Sequence, residues 1–524
     1  MKRLLVIALL LIAPRAWAAC TGSSPTWTAT TPSNTDLQTC VDNASDGDTI
    51  NVAAGSATWS GDVTVPNTKG LQIIGAGAAS TTITNGGSNA LTINTTSGRA
   101  LTRVSGIRWE RSGSCGGAGD ANSNVFIFIK GTATNWRIDN NIFDDNGIAS
   151  CYSIMVGEKG DQNNDYYTYG VIDSNTFTGR NDATSIHINW ARGSSGDTIG
   201  GDWTSGNYIW SLTAERGTAR AVYIEDNTFT GGSSAASQVV DTQYGGQYVL
   251  RYNSIDSPWI STHSGCTNGG RNTPWTEVYK NTFSEVGPAY AGTELEMRST
   301  SAVVWGNTSS STIGYVIGVD HERSYRTDCL VDILYGGRCD GTEAYDENTS
   351  GQSGGRCNGQ PGWGPVQNQS LSSATFAGVV VWDNLNNGSE VDLTINNNNP
   401  YTSTHLVFQR ELFDDDNVTV GLIADRPSTC SYNAYPSTSG RDIYISTDEN
   451  SQGATVYQCS ATNTWTKHWE PYTYPHPLRD SAPDAPTNFR LISWLLPIVG
   501  VVLLGGIYGK VRASTRRAGR AATV

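Results

Sequence analysis

The sequence predicts an all-β chain wound into a right-handed parallel β-helix solenoid, with a short N-terminal capping helix and a C-terminal transmembrane helix. Three observations predict it: one phrase ending in Asn that recurs at a near-constant period, an opening segment of one helix followed by short strands, and an uninterrupted apolar run near the C-terminus.

The chain opens on a secretory signal. Lys2 and Arg3 precede the apolar stretch Leu4 to Ile12, and Ala16-Trp17-Ala18 places small residues where a signal peptidase reads, so residues 1–18 are expected to be removed. That stretch is too short to span a bilayer. Residues 491–509 (LISWLLPIVGVVLLGGIYG) form a charge-free run of 19 residues, close to what a membrane-crossing helix needs. Lys510, Arg512, Arg516, Arg517 and Arg520 follow. The positive-inside rule keeps this 510–524 tail cytoplasmic and the large N-terminal part outside. Residues 481–490 read as the linker to it.

The chain carries a net charge of −14 and no basic stripe outside the tail, which excludes a phosphate-backbone partner such as nucleic acid. All ten cysteines lie beyond the signal, and in an exported protein they read as disulfides. Cys20 with Cys40, Cys115 with Cys151, and Cys430 with Cys459 are plausible pairs, although spacing alone does not fix connectivity.

The recurring phrase appears as Arg137-Ile-Asp-Asn-Asn141-Ile-Phe, Val171-Ile-Asp-Ser-Asn175-Thr-Phe and Tyr223-Ile-Glu-Asp-Asn227-Thr-Phe. It continues through Asn253, Asn281, Asn307 and Asn384. From Asn227 the asparagines are 26, 28 and 26 residues apart. A fixed period built from short strands implies stacked rungs, each covering the apolar face of the next. The Asn is expected at a tight corner, where it tolerates the left-handed conformation, with its amide stacked in a ladder. The Phe two residues on is expected in the core.

Thr35 to Thr84 (TDLQTCVDNASDGDTINVAAGSATWSGDVTVPNTKGLQIIGAGAASTTIT) resembles the opening of pectate-lyase-like parallel β-helices. The resemblance implies a helix over Asp36 to Ala44 capping the apolar end, with solenoid continuing to about Asn384. It is specific for fold and leaves activity open, because that superfamily contains lyases, hydrolases, epimerases, tailspikes and adhesins. The calcium-binding carboxylates and catalytic Arg of the calcium-dependent pectate lyases have no residue-by-residue match here.

The period breaks twice. Asn175 to Asn227 is 52 residues, read as two rungs or one rung with a long loop. Asn307 to Asn384 is 77 and holds Cys329, Cys339 and Cys357, read as a disulfide-pinned insertion near 320–370. Residues 400–480 read as the closing cap of the solenoid.

Aligning the strands that follow each corner gives Gln238-Val-Val-Asp241, Ile260-Ser-Thr-His263, Leu295-Glu-Met-Arg298 and Ile317-Gly-Val-Asp320. Alternation then sets Asp241, His263, Arg298 and Asp320 in one outward column, with Glu296 beside Arg298 and His321 and Arg323 after Asp320. His187 extends the column. As a site, Asp241 would orient His263 as a general base, and Arg298 would balance charge on a uronate. As structure alone, the same residues would form a charge ladder. Trp190, Trp203, Trp259, Trp275 and Trp363 are candidates to stack on sugar rings. Asp414-Asp415-Asp416-Asn417 is the one candidate for calcium, and no cofactor motif is present.

The expectation is an extracytoplasmic, membrane-tethered protein that binds or cleaves polysaccharide, a lyase ahead of a hydrolase. The alternatives are a non-catalytic cell-surface adhesin or scaffold, and a tailspike-like depolymerase.

Overall fold

The structure, a computed structural model, describes residues 19–86, 89–113, 115, 125–149, 151–157, 168–189, 216–232, 237–243, 246–256, 259–262, 273, 275–284, 295–298, 300–310, 317–320, 378–395, 412–432 and 441–480. Short strands stack rung upon rung into three long sheets of thirteen, eleven and ten strands, and all but the end pairings are parallel. We refer to these as the first, second and third sheets. Every rung contributes one strand to each, so three apolar faces converge on one interior.

At the N-terminal end a hairpin of Cys20–Ser23 and Thr26–Ala29 leads into one α-helix, Asn34–Asn43. The helix begins ahead of the expected Asp36 because Ser33 caps it, accepting from the Asp36 backbone N–H. Leu37, Cys40 and Val41 are buried and close the apolar end of the rungs. The Cys20–Cys40 disulfide ties helix to hairpin, and the expected Cys115–Cys151 and Cys430–Cys459 bonds are also present. These bonds accord with an oxidising compartment.

The asparagine ladder is continuous. Asn141, Asn175, Asn227, Asn253, Asn281 and Asn307 each donate a side-chain N–H to the Oδ1 of the next, at 2.8–3.1 Å, ending on Asn384. Each Oδ1 also accepts the backbone N–H of the asparagine one rung earlier. The corner geometry corrects the expectation. The left-handed residue is the one before the Asn, namely Asn140, Ser174, Asp226, Tyr252, Lys280, Gly306 or Asp383. The Asn is held for its amide, which supplies the hydrogen bonds that a buried turn would otherwise leave unmade.

The Phe expectation holds. Phe143, Phe177 and Phe229 lie in register in the core of the second sheet, with adjacent rings stacked at 4.9 and 4.7 Å. The 52-residue gap is one rung, because Gly170–Asp173 pairs directly with Val222–Glu225. The 77-residue gap is likewise one rung, since Ser301–Trp305 pairs directly with Val379–Trp382. The 320–370 insertion itself falls almost entirely outside the described residues. So do the 491–509 run and its basic tail; among the described residues no helix is long and apolar enough to cross a membrane.

The C-terminal part does not simply cap the end of the solenoid. Residues 412–480 contribute one strand to the first sheet and then run back along its outer face. Tyr279, Trp305 and Trp382 stack there at 5.3 and 5.4 Å, and Trp469 meets this column edge-on. Further along the same face lies a row that sequence reading missed: Asp139, Asp173, Glu225 and Arg251 in register. Arg103 pairs with Asp139, Arg137 with Asp173, and Arg251 with Glu225, at 2.6–2.8 Å. Arg479 closes the strap across this row, reaching Asp173, Glu225 and Asp226. Apolar stacking and buried, paired charge fix the strap to the face.

Candidate active site

The third sheet carries the polar cluster. Ile186-His187-Ile188 alternates cleanly, so its two isoleucines enter the core and His187 turns outward. His187 pairs with Asp241 on the next rung. Val240 pairs with Ile260, which sets Asp241 level with Ser261, and Ser261 pairs with Glu296. One outward row therefore runs Phe128, Met155, His187, Asp241, Ser261, Glu296 and Gly318.

This corrects the expected column. Arg298 and Asp320 do face each other on neighbouring strands, but in a different row, two residues further along than Asp241. Two single-residue offsets add up: the next strand starts at Trp259, one residue before Ile260, and a bulge separates it from the preceding rung. Gln238 pairs with Trp259 and Val240 with Ile260, so Val239 is an extra residue and alternation slips by one. Counting from the start of each strand crosses the bulge and gives the wrong partner. Counting back from the clean alternation at Ile186-His187-Ile188 gives the right one. His263, His321, Arg323, Trp190, Trp203 and Trp363 lie outside the described residues, as do the side chains of Arg298 and Asp320.

Although the row points away from the core, it is covered: His187, Asp241, Ser261 and Glu296 are between 0 and 4% exposed. His187 Nδ1 lies 3.5 Å from Asp241 Oδ2, within ion-pair reach for a protonated ring, and makes no hydrogen bond among the described residues. The Tyr152 ring packs on the imidazole at 4.7 Å. Burial, and then the Asp241 charge, pushes the Tyr152 phenol up to about 12, so it stays protonated at neutral pH. Trp259, at the start of its strand, donates its indole N–H to Glu296 at 3.3 Å. The row thus combines a base, a carboxylate that can orient it, a protonated phenol and a second carboxylate.

Trp275 does not join this row. It belongs to the first sheet, is 3% exposed and donates to buried Glu277. The acidic run also has a local role: Asp414 accepts the Asn417 backbone and side-chain N–H groups through its own carbonyl and carboxylate, and Asp415 accepts the Asp383 backbone N–H. Among the described residues no group of three or more His, Cys, Asp or Glu side chains is arranged to hold a metal ion.

No protein-family model matches the chain, and no curated protein matches it.

Proposed function

We propose that this protein is an exported, membrane-tethered enzyme of the right-handed parallel β-helix, pectate-lyase-like type, cleaving an extracellular polysaccharide by β-elimination. The observation that carries the reading is His187 held between Asp241 and Tyr152 on a covered outward row. In this reading His187 removes the proton α to a uronate carboxylate, and that electron pair forms the new double bond. The bond to the neighbouring sugar oxygen breaks, and the Tyr152 hydroxyl protonates the leaving oxygen. Asp241 orients the ring and stabilises its charged form, and Arg298 is assigned to the substrate carboxylate. Trp259 is the aromatic flank for a sugar ring. The run 491–509 is the tether, with the tail in the cytoplasm.

A second reading rests on Asp241 and Glu296. They stand two strands apart in one row, about 9.5 Å by strand spacing, at the upper edge of the separation used in inverting glycoside hydrolysis. A covered row argues against the third possibility, an adhesin or scaffold, because an adhesive surface has no need to bury a histidine and two carboxylates.

The test is turnover of uronate and neutral polysaccharides by the full chain in detergent, following unsaturated-product absorbance and reducing ends together. Elimination predicts absorbance that is lost in both His187→Ala and Tyr152→Phe. Reducing ends without absorbance, lost in Glu296→Gln, would replace elimination by hydrolysis. No turnover of any substrate by the folded protein would overturn the enzyme.

A further inference from the structure

The third sheet changes phase in the middle of the candidate site. In four successive rungs the strand start carries two adjacent buried residues, Phe126-Ile127, Ser153-Ile154, Ser185-Ile186 and Val239-Val240, all 0–1% exposed, and in the first and last of these pairs both residues belong to the core. In the next rung Trp259 is followed by one inward residue, Ile260, before Ser261 turns out. Without the extra residue at Val239, Asp241 would stand level with core-facing Thr262 instead of Ser261.

A single buried cation spans the two turns that feed these strands. Arg180 sits in the corner after Thr176–Thr178 and is fully buried. Its guanidinium donates to the carbonyl of Ser237, the residue before the bulged strand Gln238–Gln243, at 3.1 Å. It donates equally, at 3.1 Å, to the carbonyl of Asp256, in the turn leading to the unbulged strand Trp259–Thr262. The Asp256 carboxylate stands 3.9 Å away and itself accepts the Gly231 and Gly232 backbone N–H groups. Asp182 N–H donates to the Ser237 hydroxyl, and Gln238 N–H to the Ala183 carbonyl. Burial pushes the guanidinium down to about 10, with Asp256 and Asp145 opposing, so it remains a cation at neutral pH.

We infer that Arg180 is a positioning residue for the His187–Asp241 site: by holding the Ser237 and Asp256 carbonyls in one fork, it seats the start of the strand that carries Asp241 in register with His187 and fixes that strand's one-residue offset from Trp259–Thr262. Lysine carries the charge but lacks the fork that reaches two carbonyls at once. The inference rests on the reading of His187 and Asp241 as the reacting site, and it reaches the chemistry through Asp241 alone.

The test uses the full chain in detergent and has two arms. In the first, on whichever polysaccharide the wild type cleaves, Arg180→Lys is expected to lower kcat about 10-fold with KM changed less than about 2-fold. The double variant Arg180→Lys/Asp241→Asn is expected to be no slower than Asp241→Asn alone. Losses that multiply would overturn the inference. The second arm needs no turnover, so it stands if the enzymatic reading fails. The His187 ring resonances, identified by their loss in His187→Gln, are expected to move in both Arg180→Lys and Asp241→Asn. They are expected to stay in place in Arg137→Lys, a buried cation on another sheet. His187 resonances unmoved by Arg180→Lys would overturn it. If Arg180→Lys lacks a folded β spectrum, Asp256→Asn, which keeps the backbone acceptor, is expected to move the same resonances by less, and no movement would be fatal to the inference.

Discussion

His187 Nδ1 stands 3.5 Å from Asp241 Oδ2 on adjacent strands of the third sheet, both side chains turned from the core and both buried. A carboxylate at that distance can select the orientation of the ring. Asp241→Asn keeps the shape and removes the charge. It is expected to slow turnover by about 100-fold, while His187→Ala/Asp241→Asn is expected to be no slower than His187→Ala. Steady-state kinetics on the cleaved substrate checks both, and independent losses would show that the two residues do not work as a pair.

The asparagine ladder makes a separate prediction about stability. Asn253 donates to the Ile224 and Arg251 carbonyls and to Asn281, and accepts from Asn227. Asn253→Ala strands several buried partners at once, each costing about 1–3 kcal/mol if left unmade. A loss of about 3 kcal/mol or more is expected in chemical denaturation. Asn67→Ala, at an exposed turn, is expected to stay within about 0.5 kcal/mol.

Acid should loosen the strap. His476 accepts the Leu478 backbone N–H through Nδ1. Burial, with Arg251 and Arg479 close by, lowers its pKa from 6.5 to about 3. The unfolded chain therefore takes up the proton first: stability is intact above pH 6.5 and falls as pH drops toward 3. His476→Asn keeps an acceptor without the titration. Its apparent Tm is expected to fall less steeply between pH 6.5 and 4 than that of the wild type. Parallel curves would show that His476 does not govern the acid response.

The acidic corner should respond in the opposite sense. Burial, then the charges of Glu390, Asp383 and Asp414, raise Asp415 from 3.8 to about 6. A raised carboxylate contributes its stability below pH 3.8 and loses it as pH rises through about 6. Asp415→Asn is expected to stabilise the protein at pH 7.5 by roughly 0.5 kcal/mol, a small figure because solvent screens this half-buried group. The gain is expected to vanish at pH 3.5, and thermal melts at the two pH values distinguish that from a gain that persists.

Much of the molecule was legible in the order of its residues. The Asn spacing marked the rungs, the Phe two residues on marked the core, and the Cys neighbours marked three disulfides. These features were readable because each depends on periodicity or on contacts between neighbouring rungs. The outward facing of Asp241 was readable, but its partner was not, because the next strand begins at Trp259 rather than Ile260 and the extra residue at Val239 adds a second offset. The strap was hidden for a different reason. Arg479 reaches Asp173 and Glu225 across more than two hundred residues, and no local pattern records a contact that distant.

The sequence by itself determined the solenoid. Stacking rungs is a nearest-neighbour problem, and a repeated phrase of β-branched residues, Asn and Phe states its own solution once per turn. Only the tertiary structure decided which side chains share a row and which face the C-terminal residues cover. Those outcomes depend on one bulge and one returning segment, and a single-residue offset in a strand of period two exchanges inside for outside.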